Sequence, residues 1–149
     1  MVNTGISAFE STLHTTNVWL QEIMDLLEWA DRKRAYHALR IVLHALRDRL
    51  SVDETAAFGA QLPMLIRGIY YENWSPHGKP VKERHKRDFL AHIREAFDEI
   101  PADDAESVCR AVFQVLGHHV SVGEIAHVKM TLPDEIRELW REPERLTRF

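Results

Sequence analysis

The sequence predicts a single all-α domain, a helical bundle of two pseudo-repeats with four helices each, or about eight helices in all. Apolar residues recur at steps of three and four along most of the chain. No segment has the sustained alternation of a strand, and no Asn-Gly or Asp-Gly hairpin signal occurs. When residues 19–70 are laid over residues 89–140 without a gap, 14 of 52 positions are identical, against about 3 expected from ordinary composition.

Two serines in the repeated block predict the starts of helices. Ser51 and Ser121 are each followed three residues later by a glutamate, Glu54 and Glu124, which is the pattern of a capping box. In this motif the serine hydroxyl accepts a hydrogen bond from the glutamate N–H, and the glutamate carboxylate accepts one from the serine N–H. We therefore interpret both glutamates as structural caps rather than as paired catalytic carboxylates.

Two leucine-proline pairs predict the boundaries that follow. The ring of Pro63 or Pro133 disfavours helical geometry at the leucine before it but fits the first turn of a new helix. One helix should therefore end and another begin at each pair. Arg67 and Arg137 also occur in both copies, and we expect each to form a structural ion pair.

The first pseudo-repeat is expected at about residues 6–71. An apolar stripe from Ile6 to Leu27 predicts a helix of about six turns. Asp31 is the expected N-cap of a central second helix over residues 32–49, and the third and fourth helices begin at the first serine and the first proline above. Residues 72–81 hold two prolines and a glycine and are the expected connecting loop.

The second pseudo-repeat is expected at about residues 82–140. Its first helix is broken near Pro101, and Asp103 or Asp104 begins the second. The third and fourth begin at the second serine and the second proline. The tail, residues 141–149, has no periodicity and is expected to fray.

Composition limits the classes of function. The net charge of −4 gives no global attraction to nucleic acid or to acidic membranes. No apolar run approaches the roughly 18 residues needed to cross a bilayer, and the first residues lack the regions of a signal peptide, so we expect a cytoplasmic location. The single cysteine, Cys109, excludes an intrachain disulfide and a cysteine-based zinc site. Its place on an apolar helical stripe predicts a core residue.

Nine histidines raise the question of a metal site, but their spacing argues against one. Two histidines of one helix can share a metal at a separation of three or four residues, and no pair in this sequence has that separation. Only a site built by tertiary contact stays open, and we expect no metal and no cofactor. The chain also contains no GxSxG, P-loop, GxGxxG or HExxH motif, which favours a protein that is not an enzyme.

The clearest difference between the copies is the segment YYENWSPHGKPVKERHKR, which combines aromatic residues with a basic run. Its five cations and one glutamate give residues 79–87 a local charge of +4. A structural interpretation is that the aromatic residues pack the loop onto the bundle and the cations are a solvated helix start. A functional interpretation is a surface for a protein partner or a polyanion. The candidate partner surface consists of Tyr70, Tyr71, Trp74, Lys79, Lys82, Arg84, Lys86 and Arg87.

Three longer segments carry a resemblance to a known family. They are ALRIVLHALRDRLSVDETAAFGAQLPMLIRGIYYENWSPHGKP, RDFLAHI and HVSVGEIAHVKMTLPDEIRELW, and they cover nearly everything from Trp19 to Trp140. The combination of AQLPMLIRG with YYENW is the most specific part. With these segments the chain resembles the bacterial family catalogued as domain of unknown function twenty-two sixty-seven. The resemblance implies an all-helical bacterial protein, and because the family has no established activity it implies no catalytic residues.

Three functions follow as alternatives. The first is a non-enzymatic interaction or scaffold module, which includes self-association as a homodimer, using the candidate partner surface. The second is a small-molecule-binding or enzymatic protein with a pocket between the pseudo-repeats near His37, His44, Arg47 and Arg49. The third is a polyanion binder through Lys79 to Arg87. Five cations neutralise only a few phosphates, so binding of nucleic acid would be weak at physiological salt and is not expected.

Overall fold

A computed structural model of the chain describes residues 3–82, 84–97 and 104–141. These residues form helices and contain no strand, so the predicted all-α class is confirmed. The helices within the described ranges are α1 (Ser7–Leu27), α2 (Arg32–Asp48), α3 (Val52–Gly59), α4 (Met64–Tyr71), α5 (Lys86–Ala96), α6 (Asp104–His119), α7 (Val122–Thr131) and α8 (Asp134–Arg137), followed by a 3₁₀ turn, Glu138–Trp140.

Side-chain caps begin α2 and α3 where the sequence places them. The Asp31 carboxylate accepts hydrogen bonds from the N–H groups of Lys33 at 3.0 Å and Arg34 at 3.4 Å. At α3 the capping box is complete, because Ser51 Oγ accepts from the Glu54 N–H at 3.1 Å and Glu54 Oε1 accepts from the Ser51 N–H at 2.9 Å. A cap of this kind contributes about 1 kcal/mol to stability.

The capping box of α7 is only half formed. Ser121 Oγ accepts from the Glu124 N–H at 3.2 Å, as predicted. Glu124 Oε2, however, is buried and has no hydrogen-bond partner among the residues the structure describes. The predicted role of Glu124 as a reciprocal cap is therefore wrong. Its carboxylate lies instead within electrostatic range of Tyr70, on the inner side of the bundle.

Both prolines mark the starts of helices, but each is the N-cap residue rather than a residue of the first turn. Pro63 and Pro133 are the N-cap residues of α4 and α8, with extended ψ angles of 156° and 150°. Their carbonyl groups accept hydrogen bonds from the N–H groups of Arg67 at 2.7 Å and Arg137 at 2.9 Å. The proline ring fixes φ but leaves ψ free, so it suits the N-cap as well as the first turn.

α5 begins at Lys86, four residues later than the predicted start near Lys82. The Val81 N–H donates to the Asp48 carbonyl at 2.7 Å, and Arg49 Nη1 donates to the Val81 carbonyl. These bonds hold the connecting segment against the C-terminal end of α2. The chain therefore turns into a helix only after it has left that contact.

Some predictions fall on residues outside the described ranges. They are the helix break at Pro101, the alternative start at Asp103, and the tail beyond residue 141. Asp104, the other predicted start, is the first residue of α6.

The core surrounds α2 and α6, the two central helices. α2 contacts α1, α4, α5 and α6, and α6 contacts α1, α2, α5 and the 3₁₀ turn. Their inner faces are fully buried, including Leu43 of α2 and Leu116 of α6. Burying a side chain of this size contributes roughly 1.5 to 3 kcal/mol. Cys109 lies in this core as predicted, and burial raises the pKa of its thiol.

Helix contacts recur in matched sets in the two halves. The contacts α1–α2, α1–α4 and α2–α4 of the first half have counterparts in α5–α6, α5–α8 and α6 with the 3₁₀ turn. Across the halves, α1–α6 corresponds to α2–α5, while α2–α6 and α3–α7 each join equivalent helices. Two copies related by a twofold axis would produce this pattern. The contacts do not fix the rotation itself, so the pseudo-repeat stays a prediction.

Candidate functional site

Tyr70 belongs to the core and not to a partner surface. Its side chain is fully buried on the same face of α4 as Ile66. The phenol donates a hydrogen bond to the Thr55 carbonyl at 2.9 Å, and the ring lies 5.8 Å from that of Phe58. Burial raises the pKa of Tyr70. The prediction that Tyr70 contacts a partner is therefore wrong, because the periodicity of α4 turns it inward.

The other two aromatic residues of the candidate partner surface are half-buried. Tyr71 packs edge-on against Tyr70 at 5.0 Å and against Trp74 at 5.8 Å, measured between ring centroids. Trp74 Nε1 is buried without a hydrogen-bond partner among the described residues. This aromatic row holds the chain that leaves α4 against the bundle, which is the structural interpretation of the segment.

Lys86 is occupied by an ion-pair network. Its ammonium lies 3.1 Å from Glu106 Oε1 and 3.0 Å from Glu138 Oε2. Arg110 joins the same two carboxylates, with Nη2 2.6 Å from Glu138 Oε1 and 2.8 Å from Glu106 Oε2. Burial alone would lower the pKa of Lys86, but the hydrogen bonds to Glu138 and Glu106 raise it. Lys86 therefore joins α5 to α6 and the 3₁₀ turn rather than offering a cation to a partner.

The remaining cations of the basic run form a weak surface for a polyanion. Lys79 Nζ lies 3.9 Å from Asp48, and Arg87 Nε lies 3.9 Å from Asp88. Lys82 and Arg84 are exposed beside a shallow depression that also contains acidic residues of α5. Acidic side chains thus lie near each of these four cations.

Arg67 and Arg137 have equivalent structural roles in binding carbonyl groups, and the predicted ion pair is present at Arg137. Arg67 Nε donates to the Gly59 carbonyl at 3.0 Å, and Nη2 donates to the Leu62 carbonyl at 2.8 Å. The guanidinium supplies further donors to carbonyl groups at the end of α3, where the Gly59 carbonyl also accepts from the Leu62 N–H at 3.1 Å. Among the described residues, Arg137 also has a carboxylate partner, an exposed contact of 3.2 Å with Asp134, and Arg67 has none.

Arg137 repeats this arrangement at the end of α7. Its Nε donates to the Lys129 carbonyl at 2.7 Å, and Nη2 donates to the Leu132 carbonyl at 2.9 Å. Lys129 and Leu132 stand 70 positions after Gly59 and Leu62, which Arg67 contacts in the same way. The arginines therefore recur because each closes the same kind of helix end.

A cleft of about 360 Å³ lies between α2 and α5, where the second alternative function requires a pocket. Arg40, His44, Asp48 and His92 contribute its polar walls. His44 Nε2 donates to the Ile69 carbonyl at 2.7 Å, and burial lowers the pKa of this imidazole. Arg40 and Asp48 already have partners, since Arg40 binds Glu72 and Asp48 contacts Arg47.

Of the four predicted pocket residues, only His44 lines this cleft. Arg47 is 4% exposed, and its Nη1 donates to the carbonyl groups of Tyr70 and Glu72, each at 2.6 Å. His37 packs against the ring of Tyr36 at 5.2 Å, and Arg49 binds the Val81 carbonyl. The predictions for His37, Arg47 and Arg49 are therefore wrong, because Arg47 and Arg49 bind backbone carbonyl groups and His37 lies outside the lining of the cleft.

The first half of α1 carries an exposed apolar stripe outside the predicted sites. The stripe is 48% exposed at Ile6, 45% at Phe9 and 39% at Leu13, whereas it is buried from Thr16 to Ile23. The sequence predicts one amphipathic helix along the whole stripe, and the structure covers the stripe only in its second half.

The beginning of α4 continues this apolar feature. The Leu65 N–H donates to Thr12 Oγ1 at 2.9 Å, which holds the start of α4 beside α1. Met64 and Leu65 are both exposed there. We use the name α1–α4 surface for Ile6, Phe9, Leu13, Met64 and Leu65.

A groove runs from the α1–α4 surface toward α2. It has a volume of about 700 Å³ and lies between α1, α2 and α4. Leu20, Tyr36, Gly68 and Ile69 contribute to its walls, together with Leu13 and Leu65 of the surface. Arg32 and Lys33 stand at the end formed by α2. The exposed side chains of Ile6 and Phe9 form a ridge. This ridge and the apolar groove therefore lie on one face of the molecule.

A family model described as an uncharacterized conserved protein (DUF2267) matches residues 16–139. The chain belongs to the DUF2267 family. No curated protein matches the chain. Membership supplies no activity, in agreement with the resemblance in the sequence. Ile6, Phe9 and Leu13 precede the matched residues, so the ridge lies outside the part of the chain that the DUF2267 model describes.

Sequence reasoning missed one side-chain cluster between α1 and α6. The Glu22 carboxylate contacts two imidazole rings. His118 Nδ1 lies 3.1 Å from Oε1, and His119 Nε2 contacts Oε2. The His119 ring also stacks on Trp19 at 4.8 Å. Only the adjacency of the two histidines hinted at this contact, because Glu22 lies far away in the sequence. Within the described ranges, no group of three or more His, Cys, Asp and Glu side chains could hold a metal ion.

None of the helices in the described ranges combines the length and the apolar character that a membrane crossing requires.

Proposed function

We propose that this DUF2267 protein is a non-enzymatic interaction module that binds a partner through the α1–α4 surface. The observation that supports the proposal is the exposure of the α1 stripe, which is buried in its second half and open in its first. The partner surface thus differs from the one the sequence suggested. That earlier surface contains a core residue, two half-buried aromatic residues and several cations that already have partners.

The size of the surface supports this assignment. Its five side chains leave on the order of 400 Å² exposed, which is within the range of the largest apolar patches on soluble monomers. Such patches often have a function because leaving them in water is unfavourable. The groove beside it adds apolar walls that a partner could fill without rearrangement of the core.

The test measures the mass of the native complex that contains this chain in gently lysed cells of its own source. The mass is compared between wild type, a surface variant and a control variant. We expect wild type to migrate as an assembly and the double variant Phe9→Glu, Leu13→Glu to migrate as a monomer. The matched control is Val122→Glu, Met130→Glu, which places the same charges on α7 residues that are 84% and 78% exposed. The control should keep the wild-type assembly. Equal migration of all three proteins would contradict the proposal.

A small-molecule-binding function has one observation in its favour, the cleft between α2 and α5. Its volume of about 360 Å³ is near the lower end of the roughly 300 to 1,000 Å³ typical of ligand pockets. Native mass spectrometry of wild type and of the cleft-filling variant Ala45→Leu tests this function. A co-purifying molecule that is lost in the variant would support it, and the same bare-chain mass for both would contradict it.

A further inference from the structure

We infer that the partner of the α1–α4 surface is a second copy of this chain. The inference rests on the proposed function of that surface and names its occupant. Three properties of the same face favour a second copy as the partner: its charge, its shape and its area.

The charge of this face suits self-association. Residues 6–17 of α1 carry one full charge, Glu10. In the exposed part of α4 the only charged residue is Arg67, whose guanidinium binds carbonyl groups at the end of α3. Two copies would therefore meet without strong repulsion. The charged residues that line the groove are of both signs, namely Arg32, Lys33 and Glu72, so the face does not favour a partner of one charge.

The shape of this face is complementary to itself. The ridge consists of Ile6 and Phe9, and the groove begins at Leu13 on the same helix. A twofold axis near Leu13 places the two α1 helices antiparallel, so that the ridge of each copy enters the groove of the other. Glu10 of one copy then approaches the end of the other groove, where Lys33 stands. In this arrangement the ridge of each copy fills the groove of the other, and Glu10 lies near Lys33 of the other copy.

The area indicates a dimer of moderate affinity. Two α1–α4 surfaces would bury on the order of 800 Å² of apolar side chain, and the groove walls add to this amount. The total approaches the lower end of the roughly 1,200 to 2,000 Å² found in specific interfaces. We therefore expect a dissociation constant in the micromolar range.

Sedimentation velocity of the purified chain from about 1 μM to about 100 μM tests this inference. Wild type should show a monomer–dimer equilibrium, and Phe9→Glu, Leu13→Glu should weaken dimerisation by more than about tenfold. The control Val122→Glu, Met130→Glu should dimerise as wild type does. Circular dichroism and thermal unfolding will show that the variants fold, since all four positions are exposed.

Two further variants test the arrangement itself. Leu13→Cys should form a disulfide-linked dimer under mild oxidation, because the axis passes near this residue, while Met130→Cys should not. The native thiol does not interfere, since Cys109 is fully buried. Glu10→Lys should weaken the dimer by a few-fold, and adding Lys33→Glu should restore it. Absence of both the cross-link and the rescue would overturn the arrangement.

The outcomes separate this inference from the proposed function. If purified wild type stays monomeric at the highest concentration while the cellular assembly depends on Phe9 and Leu13, the partner is another protein and the second-copy inference fails. If the cellular assembly is also absent, the proposed function fails with it.

Discussion

The Tyr71 hydroxyl lies 2.6 Å from the point where a Cβ on Gly59 would stand. α3 can therefore end against the ring of Tyr71 only because residue 59 has no side chain. We expect Gly59→Ala to lower the free energy of unfolding by about 1 to 3 kcal/mol, since the aromatic row must shift to admit the methyl group.

Chemical denaturation of Gly59→Ala and Gly117→Ala measures this effect against a matched control. A Cβ on Gly117, in α6, meets no atom within 4 Å. Because alanine favours a helix over glycine, this control should gain about 0.5 to 1 kcal/mol. A gain in both variants would show that the contact at Tyr71 is not tight.

Arg47 should be among the most costly charged residues to replace. Its guanidinium is buried and binds two carbonyl groups at the end of α4. Arg47→Met should destabilise the protein by about 2 to 4 kcal/mol, because both carbonyl groups lose their donor. Urea denaturation gives the value. Arg40→Met is the control, and since it removes a partly exposed pair with Glu72 it should cost at most about 1 kcal/mol.

The two recurring arginines should contribute similar amounts to stability. Arg67→Ala and Arg137→Ala each remove a donor from two carbonyl groups at a helix end. We expect a loss of about 1 kcal/mol for each in thermal or chemical unfolding. Arg87→Ala, at an 84% exposed side chain, should change stability by less than about 0.5 kcal/mol. A loss confined to Arg137 would instead point to its contact with Asp134.

His44 should make stability depend on pH. Burial lowers its pKa in the folded protein from the ordinary value of 6.5, so the unfolded chain binds this proton more readily. The contribution of neutral His44 is present above about pH 6.5 and is lost as pH falls toward the lower folded pKa. The free energy of unfolding should therefore decrease more for wild type than for His44→Gln between about pH 7.5 and pH 5. An NMR titration in which His44 protonates at or above pH 6.5 would contradict this expectation.

Periodicity and capping signals predicted the helical elements well because both act within a few residues. Asp31, Ser51 and Ser121 cap the helices assigned to them, and both leucine-proline pairs separate helices. The start of α5 was misplaced, since it depends on hydrogen bonds between Val81 and the distant end of α2. Local sequence contains no information about such contacts.

The candidate sites were harder to predict because exposure depends on which helices cover a given face. The spacing of Phe9 and Leu20 fits one stripe, yet of these two only Leu20 is covered. The sequence places Arg47 near a pocket between the pseudo-repeats, but its long side chain reaches the carbonyl groups that end α4. One signal was available for α1. Its first turns align with the connecting loop of the other copy, which leaves them without an equivalent helix.

The division of α1 at Thr16 separates two kinds of selection within one helix. On the apolar stripe, substitutions after this residue change the interior and are constrained by folding. Substitutions before it on the same stripe change exposed side chains, so binding preferences can vary there while the scaffold stays the same.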